Sequence, residues 1–270
     1  MSKLHCIVLT KNEVDVAGAC LSDAVKWADY LYVYDGASTD GTWELVQSLA
    51  NSKLIPWKRD GKVFKEGLRA EVFNEFRHLS SEGDWWLQLN VDEFYPEDPQ
   101  AFFRRVSARH NLVWGISVEY YLTWRDLECI DFADRFECRM PKLRYYKAFW
   151  SEPRAFRYRK RLTWNPDEAW PRHLGLVAPE RIVFKHYPYR SPQQIQMRLD
   201  VRRENRARGF EGWRHANDTE WTAKIVSHED CLYDDGHTPL KIVEKKLPRH
   251  IESQWRRWLK MSMHATRLWP

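Results

Sequence analysis

Two acidic side chains, Asp92 and Glu93, stand next to each other just after the apolar run Trp85-Trp86-Leu87-Gln88-Leu89 and just ahead of Pro96. The run reads as a short strand, and Pro96, which has no N–H to offer a ladder, prevents it from continuing. In an open α/β sheet, ligands collect outside the carboxyl ends of the strands, where loops vary over a rigid scaffold. Adjacent carboxylates repel, so a divalent cation or a shared proton suits them; an acidic, solvated turn is the alternative. Two other polar stretches follow apolar runs in the same way. Thr10-Lys11-Asn12-Glu13 comes after Leu4 to Leu9, and Asp35-Gly36-Ala37-Ser38-Thr39-Asp40-Gly41-Thr42 after Leu31 to Tyr34.

The elements that must position these stretches alternate. A helix is expected over Val14 to Trp27, with Ala17, Leu21, Ala24 and Val25 on one face. Others are expected over Trp43 to Ala50 and Gly67 to Leu79, with a strand over Lys53 to Trp57 between them. Strands and helices in alternation with short connections imply a parallel, helix-covered sheet with right-handed crossovers. Asp98-Pro99 supplies an N-cap and a first-turn proline for a helix to about Ala108, and Leu112 to Tyr121 reads as a strand. From Thr123 to Ala178 the periodicity fails, and short strands and loops over the site are expected, with a last strand over Arg181 to Phe184. Ser191-Pro192-Gln193-Gln194 has the form of a capping box and opens a basic helix to about Arg208. A terminal amphipathic helix is expected over Ile251 to Leu268, bearing Trp255, Arg256, Arg257, Trp258 and Leu259.

At 270 residues and 43% hydrophobic, the chain can bury one sizeable core. The five cysteines are odd in number and scattered without metal-ligand spacing, which suits a reducing cytoplasm. The first apolar run is too short for a secretory signal, and no later run reaches the length of a membrane span. Net charge is +5, but the cations crowd into Arg154 to Arg161, Arg198 to Arg208 and Pro248 to Lys260, as an anionic partner would require.

Taken in order, Leu9-Thr10-Lys11-Asn12-Glu13, Asp35 to Thr42 and Asn90-Val91-Asp92-Glu93 resemble the nucleotide-sugar-binding half of family 2 glycosyltransferases, including a branch with an Asn-x-Asp-Glu-Phe signature. Gly67 to Asn74 is similar to that family's Gly-x-x-x-Ala-Arg-Asn helix in altered order, and the resemblance covers roughly the first 120 residues. It implies an α/β GT-A (Rossmann-like) fold: a mostly parallel central sheet with flanking helices and an irregular, partly helical C-terminal acceptor region. The expected divisions are a nucleotide-sugar-binding half over 1–122, an acceptor-side half over 123–190 and a C-terminal helical extension over 191–270.

The implied activity is transfer of a sugar from a nucleotide-diphosphate donor to a surface-glycan or lipid-linked acceptor, as in lipopolysaccharide or capsule biosynthesis. Thr10, Asn12, Glu13, Asp35, Arg69 and Asn90 would hold the nucleotide, with Asp35 accepting from a base N–H and Arg69 facing the diphosphate. Ser38, Thr39 and Asp40 would mainly cap the next helix. Asp92, Glu93 and His186 would bind Mn²⁺ or Mg²⁺, although Asn90 stands where the family's metal motif has its first aspartate. An inverting transfer needs a carboxylate base, for which Asp167 and Glu168 are candidates between Trp164 and Trp170, ahead of His228-Glu229-Asp230; a retaining transfer would need none. The terminal helix would hold the enzyme at the inner face of the membrane, or dock on its own domain. A nucleotidyltransferase would usually carry a glycine-rich phosphate loop early in the chain, and none lies between Leu4 and Glu13. A non-catalytic carbohydrate- or nucleic-acid-binding protein would use the tryptophans and arginines as stacking platforms and basic grooves, but no nucleic-acid motif is present and no such partner is expected.

Overall fold

The computed structural model describes residues 2–210 and 218–270. Its first part is β1 (Leu4–Thr10), α1 (Val14–Trp27), β2 (Tyr30–Asp35), α2 (Thr42–Ser48), β3 (Leu54–Arg59), α3 (Leu68–Phe76) and β4 (Trp85–Asn90). β1 lies between β2 and β4, with β3 outside β2, and all four run parallel. Side chains alternate across the sheet, so consecutive residues of one strand enter different cores. Cys6 and Val8 of β1 pack with Leu87 and Leu89 of β4 under α1, whereas Ile7, Tyr32 and Trp86 pack with Phe73 of α3 on the other face. That demand for apolar residues on both faces is why these strands read as continuous apolar runs.

The second part holds β5 (Glu93–Phe94), α4 (Pro99–Arg105), β6 (His110–Tyr120), α5 (Trp124–Cys129), α6 (Phe136–Arg139), β7 (Tyr145–Arg157), β8 (Leu176–His186), α7 (Pro192–Ala207), β9 (Leu232–Tyr233) and α8 (Gln254–Ala265). The strands form one sheet in the order β3-β2-β1-β4-β7-β6-β8-β5, with β9 pairing β7. The expected α/β architecture is present, a central sheet flanked by helices with a wholly parallel first half.

The stretch expected as short strands and loops needs correcting. It contains β7, a 13-residue strand that runs antiparallel to both β4 and β6 through the middle of the sheet. Lys147, Glu152, Pro153 and Arg154 hide it from a search for alternation. Pro153 is accommodated because the β6–β7 register shifts between Val113 and Trp114, its own partner, so the ladder is already irregular there. Arg154 is accommodated because it is paired. Residues 191–270 are likewise more than a helical extension, since they deliver β9 to the sheet edge and α7 to the site.

Candidate active site

The loops after β1 and β2 are fastened to each other by their own polar side chains. Asn12 N–H donates to Ser38 Oγ (2.8 Å) and Thr39 N–H to Asn12 Oδ1 (2.8 Å). Glu13 N–H donates to Thr42 Oγ1 (2.9 Å) and Val14 N–H to Asp40 Oδ2 (3.0 Å), so Asp40 and Thr42 satisfy the open N–H groups at the start of α1. The Asp-x-x-Ser-x-Asp-x-Thr spacing is thus a device that joins two loops as well as a helix start. Asp35 belongs to it. Its carboxylate, fully buried at the end of β2, accepts from Ser38 N–H (2.7 Å) and Ser38 Oγ–H (2.6 Å) and does not line the adjoining cleft.

That cleft, about 250 Å³, opens where β1, β2 and β4 end. Thr10, Asn12, Glu13, Arg69, Asn90 and Asp92 line one side, and Arg198, Arg202 and Asn205 of α7 the other. Arg69 donates from Nη2 to Asn90 Oδ1 (3.3 Å) and pairs with Glu66. Asn90 in turn faces Glu93: its N–H donates to Glu93 Oε2 and its Nδ2 to Glu93 Oε1, each at 2.9 Å. An asparagine suits this position because it gives donors to a buried carboxylate that an aspartate would repel. Arg154 Nη1 completes the arrangement 2.9 Å from Glu93 Oε2, both side chains being essentially inaccessible. Burial lifts the Glu93 pKa in spite of that guanidinium.

β5 pairs with β8, and β8 with β6, so Glu93, His186 and Glu119 fall side by side across the sheet. Asp92, one residue earlier, points Oδ2 at Arg198 Nη1 (2.8 Å) and His186 Nε2 (3.3 Å). Burial alone would raise the Asp92 pKa, but the His186 and Arg198 charges reverse this and hold it well below the usual carboxylate range. Burial likewise disfavours the His186 imidazolium, yet Asp92 and Glu119 push its pKa up to about 10. Glu119 Oε1 lies 3.9 Å from His186 Nδ1, and Glu119 Oε2 accepts from Tyr121 O–H (2.8 Å).

The structure thus brings Asp92, Glu93 and His186 together, their ligating atoms within 4.8 Å of one another. Asp92 and His186 fit a divalent ion better than Glu93: Asp92 lines the cleft with one oxygen, Oδ2, taken by Arg198, and His186 Nε2 makes no well-aligned hydrogen bond. Glu93 fits less well, because both its oxygens are engaged by Asn90 and Arg154.

Asp167 and Glu168 are held apart from this group. Asp167 is an exposed side chain paired with Lys65 (3.0 Å), Glu168 pairs with Arg172, and neither lines the cleft. Trp164 and Trp170 stack on each other with centroids 6.1 Å apart within the second core, so they hold the loop rather than offer a platform for a sugar. His228-Glu229-Asp230 is a surface 3-10 turn elsewhere, capped by Ser227.

Glu119 and Arg190 carry no signal in the sequence, and Arg154, Arg198 and Arg202 stand out there only as members of basic clusters. Arg190, fully buried, clamps Glu13 and Asp15 and ties the start of α1 to the end of β8. A signal for α7 was present in Gln194, Arg198, Arg202 and Asn205, spaced at helical intervals beside Ile195 and Leu199.

No family model matches the sequence, and no curated protein matches it. Among solved structures, S. aureus TarS 1-349 is similar with a TM-score of 0.37 and 13% identity over 74% of this chain. This chain spans 65% of the length of that one.

Proposed function

We propose that this protein is a glycosyltransferase that uses a nucleotide-diphosphate sugar. The observation that carries the proposal is the cleft at the carboxyl ends of β1, β2 and β4, lined by Arg69 of α3 and Arg198 and Arg202 of α7 together with three carboxylates, Glu13, Glu66 and Asp92, of which Asp92 is held deprotonated. A phosphate chain is the ligand such a lining suits: guanidinium groups bind it by paired, charge-assisted hydrogen bonds. Thr10, Asn12 and the Gly36 backbone border the space for a nucleoside, with Asp35 acting through the loop it organises. Arg69, Arg198 and Arg202 are assigned to the diphosphate.

Mn²⁺ or Mg²⁺, held by Asp92 and His186, would supply neutralisation of the departing diphosphate. Glu119, which does not line the cleft itself, replaces Asp167 and Glu168 as the proposed base because it lies beside His186, next to Asp92, and is held in its deprotonated form. Burial would raise the Glu119 pKa, but hydrogen bonding and charge from His186 lower it. In the inverting reaction Glu119 takes the acceptor hydroxyl proton as that oxygen bonds to the anomeric carbon. The bond from that carbon to the phosphate oxygen breaks, and its electron pair leaves on the diphosphate. A surface-glycan or lipid-linked saccharide is the proposed acceptor.

Calorimetric titration with UDP, GDP, dTDP and CDP, with and without Mn²⁺, tests the donor half. Binding of one nucleotide that is lost in Asp92→Ala is the expected result. Absence of binding by every nucleotide to folded protein would reject the transferase and favour a glycan-binding role.

A further inference from the structure

We infer that α8 is a seat for an anionic phospholipid bilayer. A helix on a protein surface normally buries its apolar stripe and turns its charges outward. α8 does the reverse. Trp255, Trp258 and Met261 are 62%, 69% and 55% exposed, and no residue of the helix is buried. The side that meets the protein is polar: Lys260 Nζ donates to Gly175 O (2.9 Å) and pairs with Glu252, and His264 Nδ1 lies 2.7 Å from Arg159 Nη1. Ion pairs and hydrogen bonds thus hold the helix with its two indoles exposed, while the half-exposed Met261 borders a hollow against Leu176 and Arg159.

Charge identifies the occupant. Residues 248–270 carry five Arg or Lys against one acid, Glu252, and that acid is taken by Lys260. Arg256 lies over the Trp255 ring, 5.5 Å from its centroid, and Arg161 reaches Arg267 O at 2.8 Å. Exposed tryptophans on an arginine-rich segment match the boundary between acyl chains and anionic headgroups, where indoles settle and cations meet phosphate. One face of a helix about 18 Å long offers far less than the roughly 800 Å² per partner of a stable protein interface. A second copy of the chain is therefore the weaker fit.

The location is independent of the cleft. α8 packs at the Gly175 end of β8, whereas His186 ends that strand about 30 Å away. Anchoring through α8 would leave the cleft open to solvent.

Co-sedimentation of the full chain with vesicles tests this, comparing phosphatidylcholine alone with phosphatidylcholine containing about one-quarter phosphatidylglycerol. The expected result is selective binding to the anionic vesicles that weakens with added salt and falls at least about tenfold in Trp255→Ala/Trp258→Ala. Circular dichroism and an unchanged thermal transition of that variant would show that the loss is local. Failure to bind anionic vesicles would overturn the inference, as would binding that the double variant leaves intact. Self-association in sedimentation velocity that the variant abolishes, without vesicle binding, would instead assign the face to a second copy of the chain.

Discussion

Glu93 illustrates how an acidic pair at a strand end divides its roles. Its carboxylate is enclosed by Asn90 and Arg154, while of the two only Asp92 lines the cleft. Arg154→Met should cost about 3–5 kcal/mol in urea unfolding at neutral pH, because it strands a buried carboxylate. Adding Glu93→Gln should recover part of that loss; a double variant as unstable as the single one would show that Arg154 acts by packing on Phe184 instead. His186 carries a proton between Asp92 and Glu119, its pKa pushed up to about 10. A metal ion must displace that proton, so the gain in nucleotide affinity from Mg²⁺ should rise with pH below about 10, by at most about tenfold per unit. Titrations across neutral to mildly alkaline pH would show the slope, and His186→Ala should flatten it. Glu119→Gln should lower turnover by about 10²–10⁴-fold while nucleotide binding is unchanged. A parallel loss of binding would make Glu119 a positioning residue.

At the level of elements, α7 has most influence on the site. Its N-cap Ser191 accepts from Gln194 N–H (3.2 Å), Ile195 and Leu199 fix its rotation, and Arg198 then falls on Asp92. Arg198→Ala should weaken nucleotide diphosphate binding by about 10–100-fold, the range for a charge-assisted hydrogen bond of roughly 1.5–3 kcal/mol. The corresponding nucleoside should lose little, and an equal loss for both would place Arg198 on the base or ribose. Gly67 has a comparable role at the start of α3. A Cβ there would lie 1.8 Å from Pro166 O, so only glycine lets the 164–170 loop pack against that helix.

At the scale of the whole molecule, β7 joins the parallel half of the sheet to the half that carries β6, β8 and β5. Glu93 and Arg154 form a buried ion pair near this junction, with the residues of the site gathered around it. Amide exchange should therefore be slowest in β1, β4 and the 155–157 end of β7 that pairs with β4, and fast in the two-residue strand β9. Fast exchange throughout β7 would mean that the two halves open separately. Among the described residues no helix is long and apolar enough to cross a membrane.

The alternation of apolar runs and periodic helices was enough to locate β1 through β4 and α1 through α3, because strands buried on both faces and helices of period 3.6 leave local patterns. The polar loop after β2 was legible as a unit, but the expected cap on the next helix is only part of its role: Ser38 fastens the β1 loop, and Asp40 reaches Val14 N–H as well as Thr42 N–H. The expectation grouped Asp92, Glu93 and His186, and the fold does place their ligating atoms within 4.8 Å of one another. What the sequence did not contain is pairing between distant polar groups. β7 was hidden because Arg154 is tolerated in a central strand by pairing with Glu93, 61 residues away, as well as with Glu152. Glu119 and Arg198 reach the site through sheet register and helix rotation, and Asp167 and Glu168 are excluded from it by the packing of their loop on α3. Local periodicity encodes which face a residue takes; which faces meet is decided by long-range packing and by the pairing of buried charges.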